Sequence, residues 1–106
     1  MVFETLHDAA QKKELILIKG GMCHYHLRKD GQLTIREIVV LPEMQGDGIG
    51  SAILTRLKVI PGVISIFAKC PIELIANTWY EKKGFILEGT ESTKTGRVLN
   101  LWRFQC

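Results

Sequence analysis

The sequence predicts a mixed α/β domain: one sheet, partly parallel and mostly antiparallel, with few helices. Three observations carry this. Short runs of apolar residues recur between glycine, proline and Asp-Gly turn signals. One of them ends in Ile38-Val39-Val40-Leu41, apolar on both faces, as in a central strand covered on each side. A strand–loop–helix–strand unit follows, and such a crossover is right-handed and makes its two strands parallel.

In chain order, Phe3 to Gln11 is expected as a short helix. Glu14 to Lys19 reads as a strand through Leu15, Ile16, Leu17 and Ile18, and Gly20-Gly21 as a turn. Met22 to Lys29 is a second strand, with Cys23, Tyr25 and Leu27 alternating with His24, His26 and Arg28. Asp30-Gly31 turns it into a third strand, Leu33 to Leu41, because this dipeptide readily takes positive φ. Ser51 to Lys58 is helical, since Ile49, Ile53, Leu57 and Ile60 recur about once per turn. Pro61-Gly62 ends the helix, and Val63 to Lys69 is the parallel partner strand. Pro71 can open a helix at its first position, here running to about Lys83 with Gly84 as its C-terminal cap. Phe85 to Glu88 and Val98 to Gln105 are closing strands around a polar turn, Gly89 to Gly96.

The chain of 106 residues is one domain's worth, read as a single unit over residues 1–106. Its apolar content of 46% and charged content of 24% are near globular averages, which excludes a disordered chain. No apolar run approaches the roughly 18 residues of a membrane span. No basic segment followed by an apolar stretch opens the chain, so a cytoplasmic protein is expected. Cys23, Cys70 and Cys106 are odd in number and lack framework spacing, which suits free thiols in a reducing compartment. The net charge of +3 falls short of the clustered basic residues of a dedicated nucleic-acid binder and suits an anionic cofactor. Cys23, His24 and His26 have metal-ligating side chains, but strand alternation puts the cysteine opposite the histidines, so no metal site is expected.

The most informative stretch is Gln45-Gly46-Asp47-Gly48-Ile49-Gly50, with Ser51 after it, between a buried strand and a helix. Glycines there permit unusual φ and let a ligand approach the backbone, while the helix start offers unpaired N–H groups to an anion. No Lys follows the last glycine, so this is not a P-loop. The glycine spacing and Cys70, at the position where an acid belongs, exclude the dinucleotide fingerprint. Gln-x-x-Gly-x-Gly after Val40-Leu41-Pro42 resembles the coenzyme A loop of the GNAT superfamily of N-acetyltransferases. Ala76-Asn77-Thr78-Trp79-Tyr80-Glu81-Lys82-Lys83-Gly84-Phe85 resembles the family's second signature, a helix ending in Tyr-Glu-Lys-x-Gly-Phe. The two stand in the family's order and separation.

The resemblance implies a GNAT-like fold and an acetyl-CoA-dependent acyltransferase. Two central parallel strands would splay apart after the glycine loop, with the pantetheine arm in the gap against the backbone of Ile38, Val39 and Val40. Gln45 to Ser51, that is Gln45, Gly46, Asp47, Gly48, Ile49, Gly50 and Ser51, would hold the pyrophosphate. Tyr80 would protonate the departing thiolate. Glu73 stands where the family often has Asn; Asn77, one turn before Tyr80, would substitute as a cofactor contact.

No base is assigned. Thr34, Arg36 and Ala68 are in register and are not bases; Glu37 is one residue off and needs a bulge to join them; His24 and His26 share a face of a neighbouring strand. The family usually has a helix pair after the first strand, whereas about 13 residues precede the first strand here. An acceptor side that is open or completed by a second copy of the chain follows, as in compact GNATs of phages and mobile elements. The acceptor would be an amine, on a protein lysine, a nucleic acid or a small molecule. The alternatives are a non-catalytic coenzyme A-binding or partner-binding module and a small basic nucleic-acid binder.

Overall fold

The computed structural model describes residues 14–46 and 48–106, so the helix expected over Phe3–Gln11 lies outside it. Its strands are β1 (Leu15–Ile18), β2 (Gly21–Leu27), β3 (Gln32–Val40), β4 (Ser65–Pro71), β5 (Ile86–Ser92) and β6 (Val98–Gln105). Its helices are α1 (Ile49–Lys58) and α2 (Ala76–Lys82), with a short 3-10 turn at Pro42–Met44. The strands form one sheet in the order β1-β2-β3-β4-β6-β5. Only β3 and β4 pair in parallel, as the crossover through α1 requires; the other pairs are antiparallel.

Both helices lie on one face of the sheet. Leu33, Ile53, Leu57, Ile66 and Cys23 are fully buried there, joined by Ile35, Ala68, Cys70, Tyr80 and Trp102. The apolar residues of α1 recur about once per turn and cover β2 and β3. Its approach to β2 is so close that a Cβ on Gly21 would stand 2.7 Å from Ile49 Cγ2 and 3.0 Å from the Val39 carbonyl oxygen, which explains the glycine.

One irregularity resets the central strand. Tyr25 pairs with Ile35 and His24 with Glu37, leaving Arg36 as an extra residue in β3. Such a bulge reverses the alternation beyond it. Ile38 and Val40 therefore stay on the helix-bearing face with Leu33 and Ile35, opposite Cys23 and Gly21. Glu37 joins Thr34 on the other face, where their partners are His24 and His26. Simple alternation gives Glu37 the opposite placement.

Several boundaries differ from expectation, three of them with a physical lesson. Pro71 closes β4 and does not open a helix: the ladder to β6 continues as far as Pro71 opposite Leu99, and α2 starts only at Ala76. Pairing along a neighbouring strand overrides a local helix signal here. The strand expected to start at Val63 starts at Ser65. β5 runs past Glu88 to Ser92, because an edge strand tolerates the polar Thr90, Glu91 and Ser92, and its turn is shortened to residues 93–97. Among the described residues no helix is long and apolar enough to cross a membrane.

On the face without described helices, Arg103 ties four strands together. Its Nη1 donates to Gln32 Oε1 and Ser65 Oγ, both at 3.1 Å, and its Nε donates to Glu88 Oε2 at 2.8 Å. Gln32 and Ser65 are the first pair of the parallel ladder, so one guanidinium pins β3 to β4. Its plane also lies over the Phe67 ring, 5.0 Å from the centroid.

Arg103→Leu is expected to lower stability by about 1–3 kcal/mol in urea unfolding, because it leaves a charge-assisted network without its donor. Arg103→Lys should recover only part of the loss, since an ammonium lacks the planar fork. Burial pushes the Cys23 thiol from its ordinary 9.0 up to about 12 and raises Cys70 as well. The folded chain thus keeps protons that the unfolded chain releases. The thiols' contribution to stability is complete below pH 9.0 and is lost as pH climbs towards about 12, measurable by unfolding at a series of pH values. In the native protein a thiol reagent should modify exposed Cys106 first, with Cys23 and Cys70 reacting only on unfolding.

Candidate active site

The parallel ladder holds for only four pairs, from Gln32–Ser65 to Ile35–Ala68. Beyond it β3 stays with β2 and β4 stays with β6, so the two central strands part. The divergence begins at the bulged Arg36, where β3 bends. The Leu41 N–H donates to the Gly20 carbonyl oxygen at 2.8 Å, towards β2. In an antiparallel ladder the next residues point the other way. The N–H and C=O of Val40 and Ile38 therefore face the gap that β4 has left. Gln45 Nε2 reaches the Val40 carbonyl oxygen from that side at 3.3 Å.

After the 3-10 turn the backbone becomes left-handed at Gly46 (φ +93°) and Gly48 (φ +81°). A Cβ on either would meet nothing within 4 Å, so the conformation, not crowding, calls for glycine. Gly48 is the N-cap of α1 and has no side chain to cap it. The helix's first internal bond runs from the Ala52 N–H to the Gly48 carbonyl oxygen at 2.9 Å. The N–H groups of Ile49, Gly50 and Ser51 precede it, at the positive end of the helix dipole. Gly50 is needed for packing: a Cβ there would stand 3.1 Å from the Trp79 indole.

The gap and the loop open into one cleft of about 600 Å³. One wall is Ile38, Val40, Gln45, Gly46, Gly48, Ile49, Gly50 and Ser51; the other is Ile75, Ala76, Thr78, Trp79, Tyr80, Lys82 and Lys83. The fold thus brings Tyr80 to the loop and strand residues singled out in the sequence. Asp47 lies outside the described residues. The Val39 side chain points to the opposite face, paired with Met22.

Asn77 is not part of the wall. Its Nδ2 donates to the carbonyl oxygens of Pro71 (2.8 Å), Leu74 (2.7 Å) and Ile72 (3.4 Å). Its Oδ1 accepts from Asn100 Nδ2 and Trp102 Nε1, both at 2.9 Å. The side chain expected to contact a cofactor is instead fully used in anchoring α2 to β6. Sequence reasoning missed Ile75, Ala76, Thr78, Trp79, Lys82 and Lys83; the helical spacing of Ala76, Trp79, Tyr80 and Lys83 was the signal available.

Tyr80 is 5% exposed. Its ring lies 5.2 Å from Trp79 and 5.1 Å from Phe85, both edge-on, and 6.3 Å from Trp102, nearly parallel. Burial pushes its phenol above the ordinary value of 10.0, with Cys70 and Cys23 adding to the rise. The hydroxyl therefore keeps its proton throughout the neutral range.

The histidines stand elsewhere. His24 is buried, and His26 Nδ1 pairs with Glu14 Oε2 at 2.5 Å. Both are on the face away from the cleft. Glu37 shares that face and sits on the part of β3 that has lost β4, beside the gap. Among the described residues no group of three His, Cys, Asp or Glu could hold a metal ion.

The family described as acetyltransferase (GNAT) domain matches residues 6–87. No curated protein matches the sequence. Among solved structures, an aminoglycoside 6′-N-acetyltransferase complexed with coenzyme A is similar over 96% of this chain and 78% of its own, with TM-score 0.80 and 11% identity. The ribosomal-protein-S18-alanine N-acetyltransferase from Escherichia coli is similar over 96% and 76%, with TM-score 0.70 and 20% identity. A Bacillus anthracis protein described as a streptothricin acetyltransferase, in complex with acetyl coenzyme A, is similar over 82% and 56%, with TM-score 0.73 and 18% identity. The chain spans less than two thirds of that protein, and 61% and 62% of two further matched structures. At these identities the structural likeness is one of fold. With most of its length matched by the family's sequence pattern, the chain belongs to the GNAT acetyltransferase family.

Proposed function

We propose that the protein is an N-acetyltransferase that transfers an acetyl group from acetyl-CoA directly to an amine. The observation that carries this is the parting of β3 and β4 beside an uncapped helix start, with a protonated phenol on the opposite wall. The donor set suits coenzyme A. Free N–H groups at Ile49, Gly50 and Ser51, reached past glycines without side chains, suit a diphosphate. The main-chain groups of Ile38 and the N–H of Val40, whose carbonyl oxygen accepts from Gln45, suit an amide-bearing arm that lies in the gap as an added strand.

Bound there, acetyl-CoA supplies an activated thioester. The Val40 N–H donates to the carbonyl oxygen, where negative charge grows as the amine attacks. Tyr80 holds a proton at its hydroxyl for the sulfur when the carbon–sulfur bond breaks. A lysine-like amine is about 3.4 pKa units above pH 7, so freeing its lone pair costs roughly 4.6 kcal/mol. Glu37 lies beside the gap on the other face of the sheet, so it is the base this reading assigns to an amine that enters the gap from that face. The acceptor is an amine of a protein or of a small molecule.

Wild-type protein should bind coenzyme A in calorimetry, and Gly48→Glu should abolish binding while the protein stays folded, because a carboxylate then stands before the amides. No binding by the wild type, or unchanged binding by the variant, overturns the reading. Tyr80→Phe should lower kcat by about 10²-fold or more with the KM for acetyl-CoA within about twofold. Full activity of that variant removes Tyr80 as the acid. Labelled acetyl-CoA incubated with cell lysate identifies the acceptor; cofactor binding without transfer to any amine identifies a non-catalytic module.

A further inference from the structure

The bulge that bends β3 also doubles a position on the face without described helices. Arg36 and Glu37 together stand opposite His24, between Ile35 and Ile38, which both belong to the helix-bearing face. Both side chains are exposed, whereas Ile35 is buried and Ile38 partly buried. The two therefore project side by side from the other face, on the first residues of β3 that have lost β4. Among the described residues neither is held in an ion pair, with the other or with a neighbour. The cations around them are committed. Lys69 Nζ lies 2.7 Å from Glu91 Oε2, Arg103 Nε lies 2.8 Å from Glu88 Oε2, and His26 is paired with Glu14.

An amine that enters from this face to reach Glu37 meets the Arg36 guanidinium at the same depth of the strand. To a plain cationic amine that is a like charge at close range, which lowers its affinity. To an amine with an acidic group a few bonds away it is a partner. The ammonium then takes Glu37 and the acid takes Arg36. The planar fork of arginine matches a carboxylate or a phosphate with two parallel N–H bonds. We propose that Arg36 recognises an anionic group on the acceptor, and that the acceptors are small zwitterionic amines with a carboxylate or phosphate near the nitrogen. The assignment rests on the acetyl-CoA reading above, with the amine entering from the face of Glu37.

Acetylation rates of matched amines by the full chain test it: phenylalanine against phenethylamine, lysine against cadaverine, and O-phosphoethanolamine against ethanolamine. Wild type should favour the acidic member of at least one pair by about tenfold in kcat/KM, and the pair that shows it tells carboxylate from phosphate. Arg36→Gln should bring that pair within about twofold by raising the acceptor KM, while the KM for acetyl-CoA stays within about twofold of wild type. Arg36→Lys should keep part of the preference, because an ammonium retains the charge and loses the fork. Lys94→Gln, in the turn between β5 and β6, should leave it intact. No preference for an acidic member in wild type, a preference that survives Arg36→Gln, or an equal loss in Lys94→Gln overturns this assignment alone. So does a wild type that binds coenzyme A and acetylates none of these amines. Failure of wild type to bind coenzyme A overturns both the assignment and the reading beneath it.

Discussion

A strand in the middle of a sheet has two edges of hydrogen-bonding groups, and each group needs a partner or an opening to water. β3 meets this on both sides up to Ile35 and on one side only beyond it. The rest of the molecule is arranged around that half-open strand. The bulge at Arg36 bends it away from β4 and keeps Ile38 and Val40 in line with the core. Gln45 takes the Val40 carbonyl and so ties the glycine loop to the end of the strand. What remains is a row of main-chain donors and acceptors in a narrow apolar cleft, where a ligand rather than a strand completes the ladder.

The opposite wall is held by a different device. α2 is only seven residues long, too short to be stable alone. The Asn77 amide suspends it, collecting three carbonyls from the end of β4 and the turn after it and two donors from β6. Tyr80 is then fixed among Trp79, Phe85 and Trp102, so the residue assigned the chemistry is also part of the core. Burial serves both ends: it packs the ring and keeps the hydroxyl protonated. Arg103 performs the complementary task at the closed end of the ladder, holding β3 and β4 together below the point where they separate.

Much of this was legible in the residues. The glycine loop and the helix ending in Tyr80 each carry a local signal, and the crossover rule makes the flanking strands a parallel pair; the end of β3, read as covered on both sides, is covered on one only, with Val39 39% and Leu41 45% exposed. What was not legible depends on pairing between distant segments. Nothing local marks Arg36 as a bulge, because its register is set by β2, and the placement of Glu37 follows from it. Pro71 looks like a helix start until β6 is known to pair with it. Asn77 looks like a ligand contact because it is polar and near Tyr80, but Asn100 and Trp102, which occupy it, lie more than twenty residues away. Lys82 and Lys83 read as an ordinary helix end until the cleft is seen in three dimensions.

The contact between Gly50 and Trp79 has a mechanical meaning. The indole rests against the bare backbone of α1, at a spacing that even a methyl group would disturb. Because Gly50 belongs to one side of the opening and Trp79 to the other, the ring acts as a spacer that sets the width between them. The jaws cannot pinch shut without the aromatic plate colliding with the helix, nor spread without losing that contact. Entry of a ligand then demands little rearrangement, and the entropy of assembling the slot has been spent during folding rather than at the moment of capture.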